Sequence, residues 1–97
     1  MMTKEDLLKI YQENEYVLIK FGASWCGPCK AMEPVLKEVA EARPDVKVIE
    51  LDVDSEEEMV QMFRVRSVPT IFWIKEGVTL DKYVGGASKE QLLSFMK

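Results

Sequence analysis

The chain has no histidine. That removes the commonest general base near neutral pH and the commonest side-chain metal ligand. It has only two cysteines among 97 residues, too few for a disulfide-stapled scaffold. It has no excess of positive charge. Thirteen Lys and Arg against 17 Asp and Glu leave a net charge of −4, so no basic stripe is available to neutralise nucleic-acid phosphates. No apolar run approaches the roughly 18 residues of a membrane span. The opening Met1-Met2-Thr3-Lys4-Glu5-Asp6 has no apolar signal core, which predicts a cytoplasmic protein whose thiols are kept reduced. Repeats, linkers and low-complexity stretches are also missing. What remains is one domain over residues 1–97, with 47% apolar residues to build its core.

The punctuation of the sequence predicts alternating helices and strands. Thr3 with Asp6 reads as a capping box, opening a helix that carries Leu7, Leu8 and Tyr11 to about Glu13. Tyr16 to Phe21 is a near-continuous apolar run with β-branched members, the pattern of a buried strand. After Gly22-Ala23-Ser24-Trp25, a second helix starts near Cys26. Met32, Val35, Leu36, Val39 and Ala40 form its apolar face, and Pro34 inside it predicts a kink. Arg43-Pro44-Asp45 ends it. Val46 to Val53 reads as a strand. Ser55 with Glu58 reads as a second capping box, with Met59, Met62 and Phe63 as that helix's inner face. Thr70 to Ile74 and Val78 to Val84 form a hairpin around Lys75-Glu76-Gly77, broken by Gly85-Gly86. Ser88 with Gln91 caps a last helix bearing Leu92, Leu93 and Phe95. The order αβαβαββα implies parallel crossovers, then an antiparallel hairpin, hence a mixed α/β sheet with helices on both faces.

Both cysteines fall in the stretch Ser24-Trp25-Cys26-Gly27-Pro28-Cys29-Lys30, where a buried strand meets a helix. A helix N-terminus offers partial positive charge and free N–H groups, which stabilise a thiolate at Cys26. A lowered thiol pKa makes both a nucleophile and a good leaving group. Residues at i and i+3 share a helix face, so Cys29 can reach the sulfur of Cys26. Pro28 suits a first helical turn, and Gly27 leaves room for a small ring. A structural staple is the weaker reading, because closing so short a loop contributes only about 2 kcal/mol. Zinc, usually four-coordinate, would need two chains. Two inert core thiols remain an alternative. A C-x-x-C near a βαβ pattern favours a redox dithiol.

The motif W-C-G-P-C-K, Pro34, V-D-S-E-E-E-M, R-V-R-S-V-P-T and V-G-G-A-S-K, in register from about residue 3 onward, resembles the thioredoxin family. The resemblance implies a thioredoxin fold with a mixed four-stranded sheet. It implies a dithiol–disulfide oxidoreductase acting on protein disulfides, with Cys26 the exposed attacking thiolate and Cys29 the buried resolving thiol. It makes Pro69 a cis proline, with Val68 offering backbone hydrogen bonds to an extended substrate. Trp25, Gly27, Pro28, Val68, Pro69, Gly85 and Gly86 would form the substrate contact surface, while Trp73 is read as core. No cofactor or metal would be bound. Electrons would come from a thioredoxin reductase carrying FAD and using NADPH, and the protein would act as a monomer. A disulfide oxidase or isomerase of the same fold, and a non-redox binding subunit, are the alternative functions.

The sequence departs from that family at five places. Only two residues precede Thr3, so the usual N-terminal edge strand is expected to be absent. Gly22 stands where the family often has tryptophan, which removes bulk under the active loop. Arg64 stands where a helix-ending glycine is common, a cost if its φ is positive. Lys20 occupies the position that usually carries a buried aspartate, and Glu50 the position of an accompanying lysine, as if the charges had exchanged places. A buried lone lysine is costly, so Lys20 is expected to pair with Glu50 beneath the cysteines. Glu50 could then accept the proton of Cys29, directly or through water. Alternatively, a cationic Lys20 could lower the thiol pKa values and make the disulfide more oxidising.

Overall fold

The computed structural model describes residues 1–97. Its elements are α1 (Lys4–Glu13), β1 (Tyr16–Gly22), α2 (Gly27–Ala42), β2 (Val46–Asp52), α3 (Glu57–Phe63), β3 (Thr70–Lys75), β4 (Val78–Val84) and α4 (Lys89–Phe95). The sheet order is β2-β1-β3-β4. β1 pairs parallel with β2 and antiparallel with β3, and β3 pairs antiparallel with β4. The expected mixed four-stranded sheet and element order are therefore present. No helix is long and apolar enough to cross a membrane.

The sheet separates two cores. Val17, Ile19 and Phe21 of β1 pack with Leu7 of α1 and Met59 of α3 on one face. Leu18 packs on the other with Met32, Leu36 and Val39 of α2 and Leu92 of α4. This alternation is the strand period of two, and both faces are buried because a helix layer covers each. Trp73 lies in the second core, 1% exposed and stacked on Tyr16 at 5.4 Å between ring centroids. Its indole N–H donates to the Lys97 carbonyl at 3.3 Å.

Two of the three capping boxes form as expected, at Thr3/Asp6 and Ser88/Gln91. Hydrogen bonds to Thr3 hold the Asp6 carboxyl below its usual range. The third does not form. α3 starts from Glu56 with no side-chain cap, and the Ser55 hydroxyl turns back to the Asp52 carbonyl. A stronger demand takes the acidic side chains. Glu56 accepts from the Met2 backbone N–H at 2.6 Å and Glu58 from that of Lys4 at 2.7 Å. Both carboxylates thus satisfy donors of the N-terminal segment, which a local reading of residues 55–58 cannot see. Met62 is also displaced from the expected inner face: it is 41% exposed, and Met59 and Phe63 fill that side instead.

The hairpin turns on Glu76 and Gly77, whose φ values of 50° and 78° suit a two-residue turn between right-twisted strands. Arg64, at the C-cap of α3, has φ 54° and ψ 46°. A side chain in this left-handed region costs about 1 kcal/mol relative to glycine. Arg64→Gly is therefore expected to raise the unfolding free energy by up to about 1 kcal/mol, read as a higher denaturant midpoint at unchanged slope. A lower midpoint would mean that Arg64 contributes contacts outweighing its backbone cost.

Candidate active site

β1 leads into Ala23-Ser24-Trp25 and then α2, so the first turn of α2 stands at the carboxyl end of the central strand. Cys26 is its N-cap, with extended backbone (φ −98°, ψ 111°), and Pro28 sits within the first turn. The Cys29 N–H donates to the Cys26 sulfur at 3.2 Å, so sulfur serves the helix end as an oxygen does in ordinary caps. Cys26 and Cys29 are joined as a disulfide with their Cα atoms 5.3 Å apart. Cys26 is not the exposed residue the sequence suggested. It is 6% exposed against 2% for Cys29, because Ala23, Val53 and Val68 pack around the pair. Cys26 is still the more accessible sulfur-bearing residue.

Around the pair lies a mixed surface. The Val68–Pro69 peptide is cis, Val68 packs against the cysteines, and the Pro69 carbonyl accepts from the Gly85 N–H at 2.9 Å. Gly85 has φ 106°, a conformation that favours glycine, and Gly86 beside it is exposed. Gly27 and Pro28 are exposed as well. Trp25 is 68% exposed, yet its indole N–H is fixed by Asp54 Oδ2 at 2.9 Å. Asp54 is not among the site residues that the sequence predicts. Its partner lies 29 residues away, and no local signal identifies such a contact. A depression of about 310 Å³ opens between Trp25 and the Val65–Val68 segment, with Val53 and Val60 behind it.

Lys20 is 5% exposed and lies on the face of β1 that meets α2. Its Nζ donates to the Cys29 carbonyl at 3.0 Å and lies 3.5 Å from Glu50 Oε1. Lys20 and Glu50 are direct partners in the β1–β2 register. The environments differ sharply, with side-chain exposures of 6% for Lys20 and 48% for Glu50. Lys20 is thus a buried cation against the second cysteine, and Glu50 is its half-exposed counter-ion. A polar pocket of about 290 Å³ joins them to Cys29 and to solvent past Ser24, Lys30 and Glu33. No group of three or more carboxylate or cysteine side chains is placed to hold a metal ion.

The thioredoxin family model matches residues 2–97. The chain belongs to the thioredoxin family. It is 34% identical over 94 residues to the thioredoxin of Mycoplasmoides gallisepticum, covering 97% of this chain and 94% of that protein. It is 42% identical over 85 residues to the bifunctional thioredoxin reductase/thioredoxin of Mycobacterium leprae, covering 87% of this chain and 19% of that protein. Among solved structures it resembles the oxidised mitochondrial thioredoxin 3 of Saccharomyces cerevisiae, with TM-score 0.89 and 30% identity over 99% of this chain and 90% of that one. Family and geometry together make this thioredoxin-family chain a thiol–disulfide oxidoreductase with disulfide reductase activity, its redox-active centre the Cys26–Cys29 pair.

Proposed function

We propose that the protein is a cytoplasmic, monomeric reductant of protein disulfides. The observation that carries this is the Cys29 N–H aimed at the Cys26 sulfur at the N-terminus of α2, an arrangement that stabilises a thiolate at Cys26. The Cys26 thiolate attacks one sulfur of a substrate disulfide. A mixed disulfide forms, and the other substrate sulfur leaves as a thiolate that takes up a proton. Cys29 then loses its proton and attacks the Cys26 sulfur. The Cys26–Cys29 disulfide closes and the second substrate thiol departs, so two electrons have passed to the substrate. Trp25, Gly27, Pro28, Val68, Gly85 and Gly86 are the surface on which the substrate rests, and the exposure of Trp25 and Gly86 supports that reading; Pro69, expected in the same surface, is itself buried and borders it through Val68 and Gly85. Dithiol is regenerated by a thioredoxin reductase carrying FAD and fed by NADPH. The Mycobacterium leprae relative, named for both functions in one chain, supports such a partnership.

Lys20 and Glu50 tune the second half-reaction. The Lys20 ammonium, held against the Cys29 carbonyl, stabilises the thiolate that develops at Cys29. Glu50, open to the same pocket, takes the Cys29 proton through solvent. Glu50→Gln is accordingly expected to slow resolution of the mixed disulfide at pH 7 by about tenfold while leaving the first attack unchanged. Stopped-flow measurement with insulin as the disulfide substrate separates the two steps. An unchanged resolution rate in a folded Glu50→Gln protein removes Glu50 from the mechanism.

One observation favours a second reading. A cation against Cys29 stabilises the reduced, thiolate-bearing state and so pushes the couple toward oxidant. Pushed far enough, the same site is a disulfide oxidase or isomerase. The reduction potential decides between them.

A further inference from the structure

Gly22 ends β1 on the same face as Lys20, two residues along the strand. Its backbone does not require glycine: only Gly77 and Gly85 among the glycines have positive φ. Space is the requirement instead. A Cβ at residue 22 would stand 3.0 Å from Lys20 Cε, 3.1 Å from Lys20 Nζ and 3.3 Å from Cys29 Cβ. All three distances are tight, so a neighbour would have to give by a few tenths of an ångström, and two of the three contacts are with the end of the lysine side chain. The end of the lysine side chain therefore occupies the volume that any other residue at 22 would claim. No buried side-chain nitrogen or oxygen is left without a partner in this arrangement.

We infer that Gly22 is a positioning residue for the dithiol reaction: its missing side chain is the space in which the Lys20 ammonium lies against Cys29. The inference rests on the reading that Lys20 acts on the cysteines, and adds that a glycine at 22 lets its ammonium lie against Cys29 without crowding. A methyl group at 22 would crowd the flexible lysine tip by a few tenths of an ångström, and the side on which it has room to yield is the polar pocket, toward Glu50 and solvent. There water screens the charge, and its hold on the thiolates weakens. Because the group that must move is the far end of a flexible side chain, the substitution is expected to leave the fold intact.

A double-mutant cycle tests this, with Gly22→Ala, Lys20→Ala, the double variant and the unaltered protein, each equilibrated with a glutathione buffer at pH 7. Alanine is chosen at position 20 because it vacates the contested volume. Lys20→Ala is expected to shift the equilibrium about three- to tenfold toward the disulfide form. Gly22→Ala should shift it in the same direction by a similar factor, and the double variant should match Lys20→Ala alone. If Lys20→Ala moves nothing, the reading of Lys20 fails and the role of Gly22 fails with it. If Lys20→Ala moves the equilibrium but Gly22→Ala does not, only the inference about Gly22 is overturned. Additive shifts would also overturn it, since they mean that the added methyl at position 22 acts on Cys29 directly. Should Gly22→Ala fail to fold, the double variant should fold, because the two shortest contacts, both with Lys20, are gone and only the 3.3 Å contact with Cys29 Cβ remains. Failure of both contradicts the inference.

Discussion

Cys26→Ser is expected to reduce disulfide reductase activity to the uncatalysed background, a loss of at least about 10³-fold. A serine hydroxyl at the N-terminus of α2 keeps the N-cap hydrogen bond and so keeps the helix. It supplies no nucleophile that can exchange with a disulfide. Cys29→Ser separates the roles of the two sulfurs. With Cys26 intact the first attack proceeds, but nothing resolves the mixed disulfide. The protein should accumulate covalently joined to its substrate, visible as a reducible adduct by mass spectrometry. Equal adduct formation by both single variants would contradict the assignment of Cys26 as attacker. The double serine variant addresses a non-redox role of the fold: retained biological function with no thiols would make the protein a binding subunit.

Lys20→Met is the second large change, and its sign follows from which state the charge stabilises. The reduced centre carries thiolate character and the disulfide carries none, so the cation favours the reduced state. Its removal raises the Cys26 and Cys29 thiol pKa values and makes the couple more reducing. One pKa unit corresponds to about 1.4 kcal/mol, or about 30 mV for two electrons, and a shift of that order is expected. Stability should be unchanged or higher, because an apolar side chain of similar length replaces a buried ammonium. Thiol alkylation rates against pH, redox equilibration and thermal unfolding together check it. A lower melting temperature with an unchanged potential would make Lys20 a structural residue only.

Much of this protein is legible in its sequence, and the limits have physical causes. The helices and strands follow from periodicity, and β1 from an apolar run on both faces. The cis Val68–Pro69 peptide follows from the motif that resembles the family, since an isolated proline would not suggest it. Lys20 stands out because a charge within a buried run needs a partner, and Glu50 lies opposite it in the strand register. What local reading misses is long-range competition. Glu56 and Glu58 bind backbone N–H groups of residues 2 and 4, so the capping box at Ser55 never forms. Asp54 is claimed by the indole of Trp25. Short-range rules predict what a side chain does when nothing better is near, and tertiary packing brings something better. The covering of Cys26 has the same origin, with Val53 and Val68 arriving from distant segments.

The reduction potential of the Cys26–Cys29 couple tests the account most directly, by equilibration with a defined thiol–disulfide buffer at pH 7. A reductant whose Lys20 charge is offset by Glu50 should give a value near the roughly −270 mV known for thioredoxin. A value of about −180 to −120 mV would contradict it, and would make the protein an oxidant or isomerase with the buried Lys20 ammonium as the first cause to examine.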